Sequence, residues 1–257
     1  MLIFIYDHSF EGLLTCIFDC FQRKITPADI CPSTCETRHM FAERREIISD
    51  SQKANRVWNG IQKKMTKQNS QMLYHAFLAG ERGIEMKILR FAKRLFNTDF
   101  NIETDYGDAD VLHLRQISRK VKKEAMRMMQ FVRFQRTKDG MYFSGIEPMY
   151  DVLPLIIDHF QKRFADQQWL LYDLKRNYGA FYNKSTVEEV VLSTSEINRK
   201  TGQVSQNILE EGDAVYQTLW KSYFKNINIK ERKNLRLQRQ QMPRRFWQYL
   251  PEKQVLK

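Results

Sequence analysis

No stretch of the sequence is apolar over the roughly 20 residues that a membrane-spanning helix needs. The mean hydropathy of the 257-residue chain is negative. Residues 1–7 have no basic leader and no cleavage site of small residues, so they do not resemble a signal peptide. We therefore expect a cytoplasmic protein with no membrane partner.

The sequence also lacks the short motifs that identify several large enzyme classes. It contains no phosphate-binding P-loop, no G-x-G-x-x-G fingerprint, no H-E-x-x-H zinc motif and no G-x-S-x-G nucleophile elbow. These absences remove the usual sequence reasons for expecting a cofactor, and we predict none.

Cysteine is scarce and confined to the start of the chain. Cys16 and Cys20 form one C-x3-C pair, and Cys31 and Cys35 form a second pair after ten intervening residues. Two thiolate pairs could complete a tetrahedral zinc site. The first pair lies in an apolar helical stretch, where free cysteine packs as a small hydrophobic side chain. Buried thiols are therefore favoured over a metal site or a disulfide.

Positive charge is abundant, and it lies in one half of the chain. The net charge is +12, whereas residues 1–110 carry 15 basic and 15 acidic residues, so residues 111–257 hold the whole excess. The densest windows are 115–138 and 221–257. Charge concentrated in this way attracts polyanions. We therefore predict a neutral N-terminal region, 1–110, and a basic C-terminal domain, 111–257, packed as one unit.

Hydrophobic periodicity predicts a helix-rich α+β fold with antiparallel β-hairpins that form a small sheet. Residues 2–6 have the composition of a buried strand. Asp139-Gly140 is a strong hairpin turn, which would join strands at 131–136 and 141–146.

The helix predicted over residues 111–129 carries a basic stripe beside its buried one. Arg115, Arg119, Lys123 and Arg127 are each four residues apart, so they share one face. Such side chains can contact phosphates and supply affinity without reading base sequence. A solvated helix face has the same pattern and remains the alternative.

The tail supplies a second basic group, mixed with Phe246, Trp247 and Tyr249. These aromatic rings could stack on bases, although packing of the last helix onto the core is the favoured interpretation. We predict that DNA of either strand form is bound by the following basic residues: Arg115, Arg119, Lys122, Lys123, Arg127, Arg133, Arg136, Lys230, Arg232, Lys233, Arg236, Arg239, Arg244 and Arg245.

Catalysis is a second hypothesis. His159, Asp166 and Asp173 lie near one another in the sequence, and Glu124 could join them from the preceding helix. A histidine and carboxylates in one cleft could move protons in a hydrolase or a glycosylase-like enzyme. His159 lies at the edge of an apolar stripe, where a hydrogen-bonded boundary residue is the commoner case. Whether the protein is an enzyme therefore stays open.

Several motifs resemble those of one bacterial family. They include Tyr6-Asp7-His8-Ser9-Phe10-Glu11-Gly12, Phe131-Val132-Arg133-Phe134, His159-Phe160, Tyr172-Asp173, Arg176, Tyr178-Gly179 and Met242-Pro243-Arg244. The chain resembles DNA metabolism or DNA repair proteins that contain an uncharacterised C-terminal domain. The resemblance implies a role in DNA repair beside a radical-SAM protein encoded by a neighbouring gene. Some members of that family are fused to a uracil-DNA-glycosylase-like domain.

The chain departs from the family pattern at two positions. His8 stands where the family usually has glycine, and Met126 stands where it often has histidine. If that histidine were a catalytic base, this protein would lack it. The resemblance implies a pathway and a partner, not a reaction, and a module that docks an acidic protein remains the third alternative.

Overall fold

The computed structural model describes residues 1–34, 42–192, 197–198, 203–204 and 235–253. The chain divides into two compact units, Met1–Lys122 and Lys123–Lys257. Each unit combines helices with small sheets, which confirms the predicted α+β class. Among the described residues, no helix combines the length and hydropathy that a membrane crossing requires.

The N-terminal unit surrounds a three-stranded sheet of order β2-β1-β3, in which both pairings are parallel. The central strand coincides with the predicted strand at 2–6. The elements of this unit are β1 (Leu2–Tyr6), α1 (Phe10–Gln22), β2 (Asp29–Pro32), β3 (Glu43–Glu46), α2 (Ser51–Lys64), α3 (Lys67–Phe77), α4 (Ile84–Asn97) and the first part of α5 (Ala109–Phe131).

The backbone at the junction between β1 and α1 explains why the resembled family usually has glycine where this chain has His8. His8 has a positive φ of 66°, a conformation that glycine adopts at lower cost.

Asp7 lies beside the start of α1. Although partial burial opposes its ionisation, hydrogen bonds from Ser9 and Ser49 hold the pKa of Asp7 below its usual value. A Cβ at Gly12 would collide with the Asp7 carboxylate and lie 2.8 Å from the Ser49 hydroxyl. Glycine at position 12 therefore lets the helix start beside this carboxylate.

The C-terminal unit is built on a five-stranded sheet of order β4-β5-β6-β7-β8. Its described elements are the last part of α5, β4 (Gln135–Arg136), β5 (Tyr142–Ile146), α6 (Leu153–Arg163), β6 (Trp169–Asp173), β7 (Tyr178–Tyr182), β8 (Val187–Val190), β9 (Ile197–Asn198), β10 (Gln203–Val204), α7 (Leu235–Gln241) and two 3-10 helices, Arg244–Tyr249 and Pro251–Lys253.

The predicted hairpin is present, but the sheet is mixed rather than purely antiparallel. β4 and β5 pair antiparallel, and Gly140 has the positive φ that the turn requires. The first strand is shorter than predicted because α5 continues to Phe131. β5 and β6 pair parallel, since α6 returns the chain to the starting edge before β6 begins. The pairs β6-β7 and β7-β8 are antiparallel.

The middle strands form the core of this sheet. All five residues of β6 are buried. Gly179 in β7 lies opposite Tyr172, and a Cβ there would come within 2.9 Å of the Leu171 carbonyl oxygen. Glycine therefore allows the close approach of these two strands.

Candidate nucleic-acid interface

A basic cleft lies between α3 and α5 in the N-terminal unit. Three cationic side chains, Arg115, Arg119 and Lys122, extend from α5 into its lining, which also includes Gln68, Asn69, Met72 and Ser118. The cleft encloses about 570 Å³, including the space at its open mouth. A concave site with several cations is an arrangement that concentrates anions.

Arg115 is held in place by neutral groups. Its Nη1 donates to the Glu103 carbonyl oxygen at 3.1 Å, and its Nη2 donates to Asn69 Oδ1 at 3.5 Å. The guanidinium carbon lies 5.2 Å from the centroid of the Tyr106 ring. None of these contacts cancels the positive charge, so the side chain is oriented while its charge stays available to a ligand.

Glu103, whose backbone carbonyl oxygen accepts from Arg115, directs its carboxylate elsewhere. Glu103 is buried, and its carboxylate accepts hydrogen bonds from the Thr66 backbone N–H at 2.8 Å and from the Asn69 amide. It thereby caps the start of α3 instead of pairing with Arg115. Glu103 therefore forms no ion pair with Arg115.

The two other cations of the cleft are not paired either. Arg119 is exposed and Lys122 is half-buried, and neither forms a hydrogen bond or ion pair with the part of the chain that the structure describes. One helical turn separates Arg115 from Arg119, a rise of about 6 Å along the axis. The cleft therefore presents a short row of cations to solvent.

Two arginines on α4 of the same unit are neutralised by carboxylates. Arg90 Nε lies 2.6 Å from Asp110 Oδ2, and Arg94 pairs with both Asp105 and Asp108. The hydrogen bond from Arg90 holds the pKa of Asp110 below its usual value. Carboxylates are thus matched to arginines on α4 and not to the cations of the cleft.

A serine–histidine contact lies at the wall of the cleft. Ser118 Oγ is 3.2 Å from Nδ1 of the buried His75. Burial, reinforced by the charge of Lys122, lowers the pKa of His75 to about 4. The imidazole is therefore neutral at pH 7, and it fixes the Ser118 hydroxyl without adding charge.

The sequence analysis identified Arg115, Arg119 and Lys122 as cations that could bind phosphate, but it missed the residues of α3 that form the other side of the cleft.

Residues 82–252 match the family model described as Domain of unknown function DUF4130. The chain belongs to the DUF4130 family. Searches of curated proteins and of solved structures give no significant match.

The DUF4130 match covers about two thirds of the chain, from the start of α4 to the last described turns. It includes the α5 side of the cleft, whereas α3 precedes it. The family assignment supports an uncharacterised domain and carries no reaction with it.

Several arginines that were predicted to bind nucleic acid form contacts within the C-terminal unit of this DUF4130 chain. Arg133 Nη2 lies 2.9 Å from Glu252 Oε1, and Arg245 pairs with Glu124. Arg127 donates to the Gln240 carbonyl oxygen at 3.2 Å. The charges of Arg133 and Arg245 are therefore compensated, and both side chains fasten the last described segment to its own unit.

The remaining predicted cations divide into two groups. The exposed ones are Lys123, Arg136, Arg236, Arg239 and Arg244. Lys230, Arg232 and Lys233 lie outside the described residues.

The aromatic side chains of the tail contact their own segment. The guanidinium of Arg244 lies 5.9 Å from the ring centroid of Trp247, and Trp247 Nε1 donates to the Met242 carbonyl oxygen. Phe246 is buried, as the packing interpretation of the tail aromatics expects.

Two of the predicted catalytic carboxylates meet at one loop. Glu124 is 2% exposed and accepts from the Met149 backbone N–H at 2.9 Å. Asp173 is fully buried and lies 2.8 Å from Nη1 of Arg176. Arg176 in turn donates to the carbonyl oxygens of Pro148 and Met149. These ion pairs hold the loop after β5 in place.

The other two predicted catalytic residues are exposed. His159 lies on α6, and Asp166 follows that helix. Within the described ranges, no hydrogen bond or ion pair joins either residue to Glu124 or Asp173. The catalytic assignment of these four residues stays a prediction, and their geometry offers no observation that favours it.

The cysteines that the structure describes are buried. Cys16 and Cys20 are free thiols, the Sγ of Cys31 donates to Asp29 Oδ2 at 3.4 Å, and Cys35 lies outside the described residues. Burial raises the pKa of Cys20 to about 11 and that of Cys16 further, which favours the protonated thiol. The described ranges contain no group of three or more His, Cys, Asp or Glu side chains that could hold a metal ion.

Proposed function

We propose that this DUF4130 protein binds nucleic acid, with DNA as the ligand, through the cleft between α3 and α5. The observation that carries the proposal is that Arg115, Arg119 and Lys122 line one cleft without a carboxylate partner among the described residues, whereas Arg90 and Arg94 on α4 are paired. Cations without carboxylate partners can neutralise backbone phosphates and release the counterions of the nucleic acid.

The geometry of Arg115 supports phosphate as the group that is bound. A guanidinium has five N–H donors in a planar fork, and Arg115 uses two nitrogens on fixed protein acceptors. The remaining N–H groups can donate to phosphate oxygens. Because the fork is already oriented, less side-chain entropy is lost when the ligand binds.

The finer expectations of DNA repair and of a radical-SAM partner are part of the same proposal. The motif resemblance supports them, because it joins this domain to DNA repair proteins. The excess charge of residues 111–257 fits a DNA ligand as well. We propose that the bound DNA is an intermediate that the radical-SAM partner acts upon.

The test is the salt dependence of DNA binding by the full chain, measured by fluorescence anisotropy with single-stranded and duplex oligonucleotides. If each of the three cations neutralises one phosphate charge, log K should fall with log salt with a contribution of roughly −2 for single strands and −2.7 for duplex. Absence of binding near 50 mM salt would overturn the proposal. Equal affinity for polyglutamate of the same charge would favour the acidic-protein alternative instead.

A further inference from the structure

The shape of the basic cleft limits what part of a nucleic acid can enter it. Without the space at its mouth the cleft holds about 230 Å³, which is below the range of about 300–1,000 Å³ for sites that take drug-sized ligands. The backbone of a duplex is a convex surface and is met best by cations that protrude. A recess of this size is better matched to one phosphate group, with the rest of its nucleotide at the open mouth of the cleft.

The charge of the cleft favours a particular form of phosphate. Arg115, Arg119 and Lys122 line one recess and have no carboxylate partner in the part of the chain that is described. A phosphodiester in the backbone carries one negative charge, whereas a phosphate monoester carries about −1.5 to −2 at pH 7 and has three acceptor oxygens. The monoester therefore gains more from three cations in one recess.

Neutral donors stand beside these cations. Ser118 lines the cleft with its hydroxyl fixed by the neutral His75, and Gln68 contributes an exposed amide from α3. A terminal phosphate has enough oxygens to accept from the guanidinium and from such neutral donors together. A diester within a strand has two free oxygens and would leave part of this set unused.

From this geometry we infer that the cleft binds the phosphate monoester of a nucleotide, either at the end of a DNA single strand or as a free nucleotide. The inference rests on the proposed function, because it names which phosphate the same cations hold. Arg115 anchors the phosphate, and Arg119 and Lys122 neutralise it. With His75 in the tautomer whose Nδ1–H donates to Ser118 Oγ, the Ser118 O–H donates to a terminal oxygen.

The experiment compares one single-stranded oligonucleotide with a 5′-phosphate, a 3′-phosphate or hydroxyls at both ends, together with a free nucleoside monophosphate as competitor. The full chain is expected to bind one phosphorylated form at least tenfold more tightly than the hydroxyl form. Competition by the free monophosphate at comparable concentration would identify a free nucleotide as the ligand. Lack of competition beside preference for a phosphorylated strand would identify the strand end.

Two variants connect the preference to the cleft. Gln68→Ala and Ser118→Ala are each expected to reduce the ratio of the affinities for the phosphorylated and hydroxyl forms by about three- to tenfold. Gln71→Ala, an exposed amide on the same helix that does not line the cleft, is the matched control and should keep the preference. Since Gln68 is exposed, its replacement keeps the test valid if Ser118→Ala disturbs folding.

The outcomes separate this inference from the proposed function. Tight binding of all oligonucleotides without preference for a phosphate end would overturn the inference and leave DNA binding by the cleft intact. Absence of binding by every oligonucleotide and by the monophosphate would overturn both.

Discussion

Replacing Asp173 by alanine is expected to lower the free energy of unfolding by about 3–5 kcal/mol. The carboxylate is fully buried, accepts from the backbone N–H groups of Lys175 and Arg176 at 2.9 and 3.0 Å, and pairs with the Arg176 guanidinium. Removing it leaves a partly buried cation and two N–H groups without their acceptor. Chemical denaturation followed by tryptophan fluorescence measures the change.

Asp166→Ala is the control for this prediction. Asp166 is exposed, and exposed substitutions away from special features usually change stability by no more than about 0.5 kcal/mol. Similar losses of unfolding free energy for both variants would show that the buried ion pair of Asp173 does not account for the effect of Asp173→Ala.

The cleft variant Arg115→Gln, Arg119→Gln, Lys122→Gln is expected to bind DNA about 100- to 500-fold more weakly than the natural chain at 0.1 M salt. The estimate follows from three phosphate charges that lose their cation, each of which contributes about 0.7 to the salt slope for single strands or 0.9 for duplex. The slope itself should become shallower by about 2 to 2.7. Anisotropy titrations at several salt concentrations measure both quantities.

A variant with the same net charge provides the control for long-range electrostatics. Arg82, Lys162 and Lys184 are exposed and do not line the cleft, and their replacement by glutamine should weaken binding by less than about threefold. Equal weakening by both triple variants would mean that overall charge, and not the cleft, accounts for binding. The double variant Arg119→Gln, Lys122→Gln keeps the hydrogen bonds of Arg115 to Glu103 and Asn69. It therefore tests the cleft even if loss of Arg115 disturbs folding.

Local patterns predicted the elements that carry the cleft, but not the cleft itself. The four-residue spacing on α5 identified Arg115 and Arg119 because helical periodicity is local. The opposite wall comes from α3, and the Ser118–His75 contact joins residues 43 positions apart. No sequence period reports such a contact, so Gln68, Ser118 and His75 could not be found from the chain alone.

Counting charges in the sequence also overestimated the free charge of the tail. Arg245 was counted as a ligand for phosphate, but it pairs with Glu124, 121 residues away. The compensation of Arg133 by Glu252 is similarly remote, at 119 residues. A basic residue that has few carboxylates near it in the sequence can still be neutralised by a distant one in the fold. Only the three-dimensional structure distinguishes paired basic residues from unpaired ones.

The sequence contained a signal for parallel pairing in the sheet that the prediction of antiparallel hairpins did not use. A helix, α6, separates β5 from β6, and a helical crossover between adjacent strands typically gives parallel pairing. The hairpin turn at Asp139-Gly140 was easier to identify because its signal is contained in two residues.

The site of contact with DNA can be located by photo-crosslinking of the full chain to a bromodeoxyuridine-containing single strand, followed by mass spectrometry of the crosslinked peptides. Binding in the cleft predicts crosslinks in residues 67–77 and 109–122. Crosslinks confined to residues 135–192, with none in α3 or the first part of α5, would contradict binding in the cleft.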